Sequence, residues 1–91
     1  MSTNRIAEQG IVVYATSWCG DCRLAKSLLD EREVSYKWID IDRDPSAVDL
    51  VLRLNGGYRT VPTIVFPDGR VLVEPTRREL QDALTESESA A

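Results

Sequence analysis

Histidine is absent from this chain of 91 residues, and only two cysteines and one methionine are present. A Ser-His-Asp triad, a Cys-His nucleophile and a His-ligated zinc site each need an imidazole to move a proton or to donate a lone pair. All three kinds of site are therefore excluded. Any chemistry that this protein performs does not use histidine.

An excess of positive charge is also lacking. Eleven Lys and Arg residues stand against fifteen Asp and Glu residues, so the net charge is −4. Binding to nucleic acid through phosphate neutralisation needs a cationic face, and we expect no nucleic-acid partner. The content of 43% hydrophobic and 29% charged residues predicts a folded globular chain, and the length predicts a single domain spanning residues 1–91.

Long hydrophobic runs are missing as well. The uncharged run from Gly10 to Gly20 covers about half of the roughly 20 residues that a membrane helix requires. Residues 1–10 are polar and lack the apolar segment of a secretory signal, so we expect a cytoplasmic protein without membrane contact. A structural disulfide rarely persists in the cytosol, and two closely spaced cysteines there indicate redox or metal chemistry.

The apolar pattern predicts four strands and three helices in the order β-α-β-α-β-β-α. The strands are predicted at 10–15, 34–40, 63–66 and 71–73, and the helices at about 20–31, 45–54 and 77–84. A capping box at Thr76 and Glu79 marks the start of the last helix. This order predicts an α/β fold with a four-stranded mixed sheet and an antiparallel hairpin at one side. The core is predicted within residues 10–84, with flexible ends at 1–9 and 85–91.

Cys19 and Cys22 form a C-x-x-C motif where the first strand meets the first helix. Two intervening residues at a helix start bring the sulfurs close enough for a disulfide. The free N–H groups and the positive end of the helix stabilise a thiolate at Cys19, which is therefore the candidate nucleophile. Cys22 lies one turn inside the helix and is the candidate resolving thiol, which attacks a mixed disulfide formed at Cys19.

Two other interpretations of the cysteine pair remain open. A C-x-x-C can be half of a zinc site, but the chain has no further soft or imidazole ligands, so zinc would require two such pairs in a dimer. The cysteines could also simply fill the core. Redox function is favoured because the motif follows a strand within a βαβ pattern.

Asp21 stands between the two cysteines. A carboxylate close to Cys19 disfavours its thiolate, whereas the helix terminus favours it. We expect Asp21 to shift the thiol–thiolate equilibrium of Cys19. Compared with the same motif carrying an uncharged residue at this position, Cys19 should be less acidic and the dithiol more reducing. Asp21 could alternatively serve only to cap the helix.

The motif Cys19-Gly20-Asp21-Cys22, combined with Arg59-Thr60-Val61-Pro62, resembles the glutaredoxin family over about residues 10–84. The resemblance implies a thioredoxin-like fold and thiol–disulfide oxidoreductase activity on mixed-disulfide protein substrates. It also implies that Pro62 is cis and faces the dithiol, and that the backbone of Val61 pairs with the substrate. In the alternative, Pro62 is only an edge-strand breaker.

Trp18 is a candidate for substrate binding because it directly precedes Cys19, and the resemblance makes Arg59 and Thr60 candidates as well. Trp18 could alternatively cover the edge of the core, and Arg59 could be an ordinary surface arginine. No cofactor is expected beyond the redox-active Cys19–Cys22 disulfide, because the electrons travel in the sulfurs. A monomer is expected.

Two segments carry a narrower resemblance, Thr16-Ser17-Trp18-Cys19-Gly20 and Asn55-Gly56-Gly57-Tyr58-Arg59-Thr60-Val61-Pro62-Thr63. Within this family they look most like the mycoredoxins, which use mycothiol in place of glutathione. Many glutathione-dependent members carry a lysine where this chain has Thr16, and a glycine-rich turn where it has Glu74 to Arg78. An acidic residue and a missing lysine suit an anionic tripeptide poorly, whereas mycothiol has no carboxylate. The resemblance therefore favours mycothiol, and the reductant is left open among mycothiol, glutathione and thioredoxin reductase.

Two further alternatives follow from related proteins. Trp18-Cys19-Gly20 also resembles thioredoxin, which predicts a protein disulfide reductase served by thioredoxin reductase. Some glutaredoxins instead hold an iron–sulfur cluster between two monomers, but Cys22 and Trp18 argue against that scaffold. The three types of reductase are distinguished by what reduces the Cys19–Cys22 disulfide: mycothiol with its reductase, glutathione, or thioredoxin reductase directly.

Overall fold

A computed structural model describes the backbone of residues 10–90 and the side chains of residues 10–86. Within this part of the chain there are four strands and three helices in the predicted order. They are β1 (Ile11–Ala15), α1 (Gly20–Glu31), β2 (Tyr36–Asp40), α2 (Pro45–Leu54), β3 (Thr63–Val65), β4 (Val71–Val73) and α3 (Arg77–Ala90). The prediction for residues 1–9 lies outside the described residues.

The four strands form one mixed sheet in the order β2-β1-β3-β4. β1 pairs in parallel with β2, and β3 pairs antiparallel with both β1 and β4. The C-terminal ends of β1 and β2 therefore lie at the same edge of the sheet as the start of β3. The loops that leave or enter the sheet at this edge carry Cys19, Asp42 and Pro62. This confirms the predicted thioredoxin-like architecture and brings distant segments of sequence together.

Alternate residues of β1 enter two different cores, as the two-residue period of a strand requires. Val13 lies on the face covered by α1 and α3, with Leu29 and Leu84. Tyr14 lies on the opposite face, with Val51 of α2. The sheet is thus covered on both sides, which fixes β1 rigidly and with it the start of α1. Among the described residues, none of the helices combines the length and the apolar character that spanning a lipid bilayer requires.

Capping residues set the helix boundaries that position the loops. Asp44 accepts a hydrogen bond from the N–H of Ala47 and begins α2. In the predicted capping box, Thr76 and Glu79 each accept from the other's backbone N–H, at 3.1 and 2.7 Å. These caps satisfy N–H groups that have no partner within the helix.

β1 begins one residue later and β3 ends one residue earlier than predicted, and two further boundaries are wrong by two residues or more. β2 begins at Tyr36 rather than Val34, because the N–H of Val34 donates to Leu29 at the end of α1 while Glu33 adopts a positive φ of 56°. α3 continues to Ala90 rather than ending at Leu84. Residues 85–90, predicted as part of a flexible end, are therefore helical. A helix already started by a capping box can extend through Glu, Ser and Ala without an apolar face.

Candidate active site

Cys19 is the N-cap residue of α1. Its backbone is extended (φ −85°, ψ 119°), and its sulfur accepts a hydrogen bond from the N–H of Cys22 at 3.2 Å. Only 9% of the residue is exposed. An N-cap side chain takes the place of a missing helical acceptor, and the free N–H groups there favour negative charge. The predicted nucleophile thus lies where the backbone itself stabilises a thiolate.

The segment before β3 forms the opposite side of the site. The thiol of Cys19 donates to the carbonyl oxygen of Val61, with the sulfur 3.9 Å from that oxygen. The Val61–Pro62 peptide bond is cis, as the family resemblance implied. The segment is anchored at both ends: the hydroxyl of Thr63 donates to the carbonyl of Thr60 at 2.8 Å, and Glu74 N–H donates to the carbonyl of Pro62 at 2.9 Å.

Cys22 lies behind Cys19 and is completely buried. Burial, followed by its hydrogen bond with Cys19, raises the pKa of the Cys22 thiol to about 12, although a backbone hydrogen bond from Thr16 opposes this shift. Both cysteines are free thiols in this structure. The two sulfurs therefore differ: that of Cys19 caps the helix N-terminus and is slightly exposed, and that of Cys22 is completely buried and held as a neutral thiol.

Asp21 is exposed in the first turn of α1, between the cysteines. After burial and the interactions of Cys19, its negative charge is a further cause of the raised pKa of Cys22. Asp21 is therefore one of the smaller causes that keep Cys22 protonated. Its expected effect on Cys19 stays a prediction.

Trp18 does not cover the edge of the core, since 71% of it is exposed. Its indole N–H donates to Asp42 Oδ2 at 2.9 Å. The guanidinium of Arg59 forms an ion pair with Oδ1 of the same carboxylate. Asp42 thus joins the residue preceding Cys19 to the segment that leads to Val61. Beside Arg59, the side chain of Tyr58 is 72% exposed.

Asp42 is not among the site residues predicted from the sequence. It lies in the acidic run Asp40-Ile41-Asp42-Arg43-Asp44, where charge alone does not distinguish one carboxylate from the next. The available signal was topological. In a βαβ unit with adjacent parallel strands, the residues after the two strands meet at one edge, so a residue following β2 can reach Trp18.

Two of the positions that distinguish this chain from the glutathione-dependent pattern, Thr16 and Glu74, are not cationic. Thr16 is 1% exposed, and its hydroxyl has no hydrogen-bond partner among the described residues. Glu74 is exposed and holds a positive φ of 46°, the backbone conformation that glycine adopts most readily. No group of three or more His, Cys, Asp or Glu side chains in residues 10–86 could hold a metal ion.

Comparison with known proteins matches the chain to the glutaredoxin family model over residues 11–72. A Mycobacterium tuberculosis protein that carries the name glutaredoxin is 39% identical over 74 residues, covering 81% of this chain and 88% of that protein. Mycoredoxin 1 of Corynebacterium glutamicum is 39% identical over 70 residues, covering 77% of this chain and 86% of its own.

Among solved structures, a mutant of a thioredoxin-like protein superimposes with a TM-score of 0.72 at 32% identity, covering 81% of this chain and 97% of that one. A sheet of this topology, with one cysteine capping a helix opposite a cis-proline segment and a second buried behind it, defines a dithiol protein of the thioredoxin fold. The chain belongs to the glutaredoxin family. Thiol–disulfide oxidoreductase activity is the general activity of that family.

Proposed function

We propose that this protein is a mycoredoxin-type reductase, which uses Cys19 to reduce mixed disulfides between proteins and a carboxylate-free small thiol such as mycothiol. The observation that carries the proposal is the position of the Cys19 sulfur. The sulfur accepts a hydrogen bond from the N–H of Cys22 at 3.2 Å and lies 3.9 Å from the carbonyl oxygen of Val61. A substrate disulfide held against Val61 therefore meets a sulfur that the helix terminus favours as a thiolate.

In the first step, the Cys19 thiolate attacks the small-thiol sulfur of the mixed disulfide. A bond forms between Cys19 and that sulfur, the original S–S bond breaks, and the protein thiolate leaves and takes up a proton. The substrate protein is thereby reduced, and Cys19 carries the small thiol.

Two routes then regenerate Cys19. A second small thiol can attack the adduct, which releases the disulfide of the small thiol and returns the Cys19 thiolate. Alternatively, Cys22 attacks Cys19, its proton passes to the departing small thiolate, and a Cys19–Cys22 disulfide forms. Two further small thiols reduce that disulfide. Because the pKa of Cys22 is raised to about 12, the first route is favoured at neutral pH whenever the small thiol is abundant.

The choice of a mycothiol-type reductant is supported by identity to mycoredoxin 1 and by the charges around the site. Thr16 is buried and uncharged, and Glu74 is exposed and acidic. Glutathione carries a net negative charge, which these positions do nothing to neutralise. Mycothiol presents sugar hydroxyls instead of carboxylates and does not need a cation at either position.

A second candidate is a dithiol reductase served by thioredoxin reductase. Trp18 before Cys19 and the structural similarity to a thioredoxin-like protein favour it. The test is a coupled assay in which the oxidised protein is offered mycothiol with its reductase, glutathione with its reductase, or thioredoxin reductase alone. Fastest turnover with mycothiol supports the proposal. Fastest turnover with either of the others overturns it in favour of that reductant.

The same preparation tests two expectations that rest on the family resemblance, a monomeric protein and the absence of an iron–sulfur cluster. After purification without oxygen, the protein should be colourless and its visible absorption spectrum should lack the bands of a cluster. Absorption bands of a cluster together with a dimer in gel filtration would instead indicate the scaffold function.

A further inference from the structure

We propose that Asp42 determines the small-thiol specificity of the site by occupying Arg59 and Trp18, so that Arg59 does not attract carboxylate-bearing thiols. This inference rests on the proposed function of Cys19 and goes beyond it. The roles of Cys19 and Cys22 stay as proposed above. Asp42 lies outside both motifs that carry the family resemblance.

The geometry of the carboxylate carries the argument. Its Oδ2 accepts from the indole of Trp18 at 2.9 Å, and its Oδ1 pairs with the guanidinium of Arg59. Both oxygens are therefore engaged by side chains from the two segments that meet at Cys19. Trp18 directly precedes the nucleophile, and Arg59 lies two residues before Val61, whose carbonyl faces the Cys19 sulfur.

Asp42 is itself held in place. Its backbone N–H donates to Oδ1 of Asp40 at 2.9 Å, at the end of β2. The preceding residue, Ile41, is buried, and its N–H donates to the carbonyl of Ala15 at 3.0 Å. The carboxylate is thus placed by the sheet rather than by a free loop, and the ordering cost of its two contacts is reduced.

The consequence for binding is electrostatic. A free arginine beside the nucleophile would attract a carboxylate through a charge-assisted, bidentate hydrogen bond. Here the guanidinium already has a carboxylate partner, and an incoming anion would have to displace it or bind against its charge. A neutral thiol suffers no such competition, and the exposed rings of Trp18 and Tyr58 offer it apolar surface.

The test uses stopped-flow measurement of the reduced protein reacting with two disulfides. Glutathione disulfide bears carboxylates, and bis(2-hydroxyethyl) disulfide is uncharged. Asp42→Asn retains the shape and an oxygen for Trp18 but releases Arg59 from its ion pair. Because exposed ion pairs contribute at most about 1 kcal/mol, the ratio of the glutathione-disulfide rate to the neutral-disulfide rate should rise about threefold to fivefold.

Three controls isolate the role of Arg59. Asp49→Asn removes the same charge from α2 and should leave the ratio unchanged. Arg59→Gln alone should change the ratio little, because the native arginine is already occupied. In the double variant, Arg59→Gln should abolish the rise in the rate ratio that Asp42→Asn causes. Such a dependence of one substitution on the other is not expected if Asp42 has a purely structural role. The gain should also shrink as salt is raised from about 0.01 M to about 1 M.

The outcomes separate the two proposals. An unchanged ratio in Asp42→Asn, or an equal loss of rate with both disulfides, overturns the specificity role of Asp42 while the proposed function stands. A gain that survives Arg59→Gln in the double variant also overturns it. Failure of the wild-type protein to react with either disulfide overturns the proposed function itself.

Discussion

The backbone N–H of Cys22 lies 3.2 Å from the sulfur of Cys19 and donates a hydrogen bond to it. One cysteine thus stabilises negative charge on the other through its main chain, while its own thiol is buried with a pKa raised to about 12. The division between a nucleophile and a resolving thiol therefore follows from helix position and burial. It does not require a base, which explains how a chain without histidine can carry out this chemistry.

The first prediction concerns the reactivity of the two thiols. Iodoacetamide near neutral pH should modify the Cys22→Ser variant, which retains Cys19, more than about tenfold faster than the Cys19→Ser variant, which retains the buried Cys22. Rates are followed by intact mass. In urea the two variants should react alike, because the difference is a property of the fold. Equal rates in the native proteins would be incompatible with this account.

A second prediction concerns alkaline stability. The pKa of Cys22 is raised from 9.0 to about 12, so between these values the unfolded chain releases a proton that the folded protein retains. Stability contributed by the neutral thiol is complete below about pH 9 and is lost as the pH rises toward 12. Under reducing conditions, the free energy of unfolding should therefore fall with rising pH.

The comparison with Cys22→Ala isolates this effect, because burial also raises the pKa of Tyr14 and Tyr36, and both add slopes of the same sign. Urea unfolding at about pH 8 and about pH 10.5 should show a smaller loss of stability in the variant than in the wild type. Identical losses would mean that Cys22 does not titrate abnormally in the folded protein.

The third prediction tests the charge between the cysteines. At roughly 6 Å in water, a like charge disfavours a thiolate by about 0.7 kcal/mol, a factor of about three. Asp21→Asn should accordingly speed alkylation of Cys19 about threefold at neutral pH and low salt. The matched variant Asp49→Asn should leave the rate unchanged. An unchanged or slower reaction of Asp21→Asn would contradict this effect and leave Asp21 only its helix-capping role.

A fourth prediction concerns the end of α1. Glu33 has a φ of 56°, and its N–H donates to the carbonyl of Asp30 in a turn that glycine adopts without strain. Glu33→Gly should raise the free energy of unfolding by about 1 kcal/mol, because relief of the strain exceeds the added chain entropy. Glu33→Ala keeps the strain and serves as the control. Destabilisation by glycine would contradict this explanation.

Much of the fold could be predicted because local signals and tertiary structure agree. The β-branched run of β1, the N-cap at Asp44 and the capping box at Thr76 each determine structure within a few residues. The boundaries that failed depend on other forces. The start of β2 is delayed by the positive φ of Glu33. α3 continues beyond its last apolar residue, because an established helix extends through residues of moderate helix propensity.

The residues of the site also fall into those that local sequence predicts and those that only the tertiary structure reveals. Cys19, Cys22 and Pro62 could be found from sequence, since each belongs to a short motif with its own chemistry. Asp42 could not, because its partners Trp18 and Arg59 lie 24 and 17 residues away in the chain. Only the pairing of parallel strands places it beside them, and an acidic surface residue has no local signal for that role.

The central claim is that Cys19 attacks a disulfide and that Cys22 resolves the product when no abundant small thiol competes. Intact-mass analysis of each reduced protein after brief exposure to bis(2-hydroxyethyl) disulfide tests it most directly. The wild type should end as a Cys19–Cys22 disulfide that has lost both thiol hydrogens, Cys22→Ser should stop with one small thiol attached, and Cys19→Ser should remain unmodified. An adduct that forms on Cys19→Ser as fast as on Cys22→Ser would contradict the account.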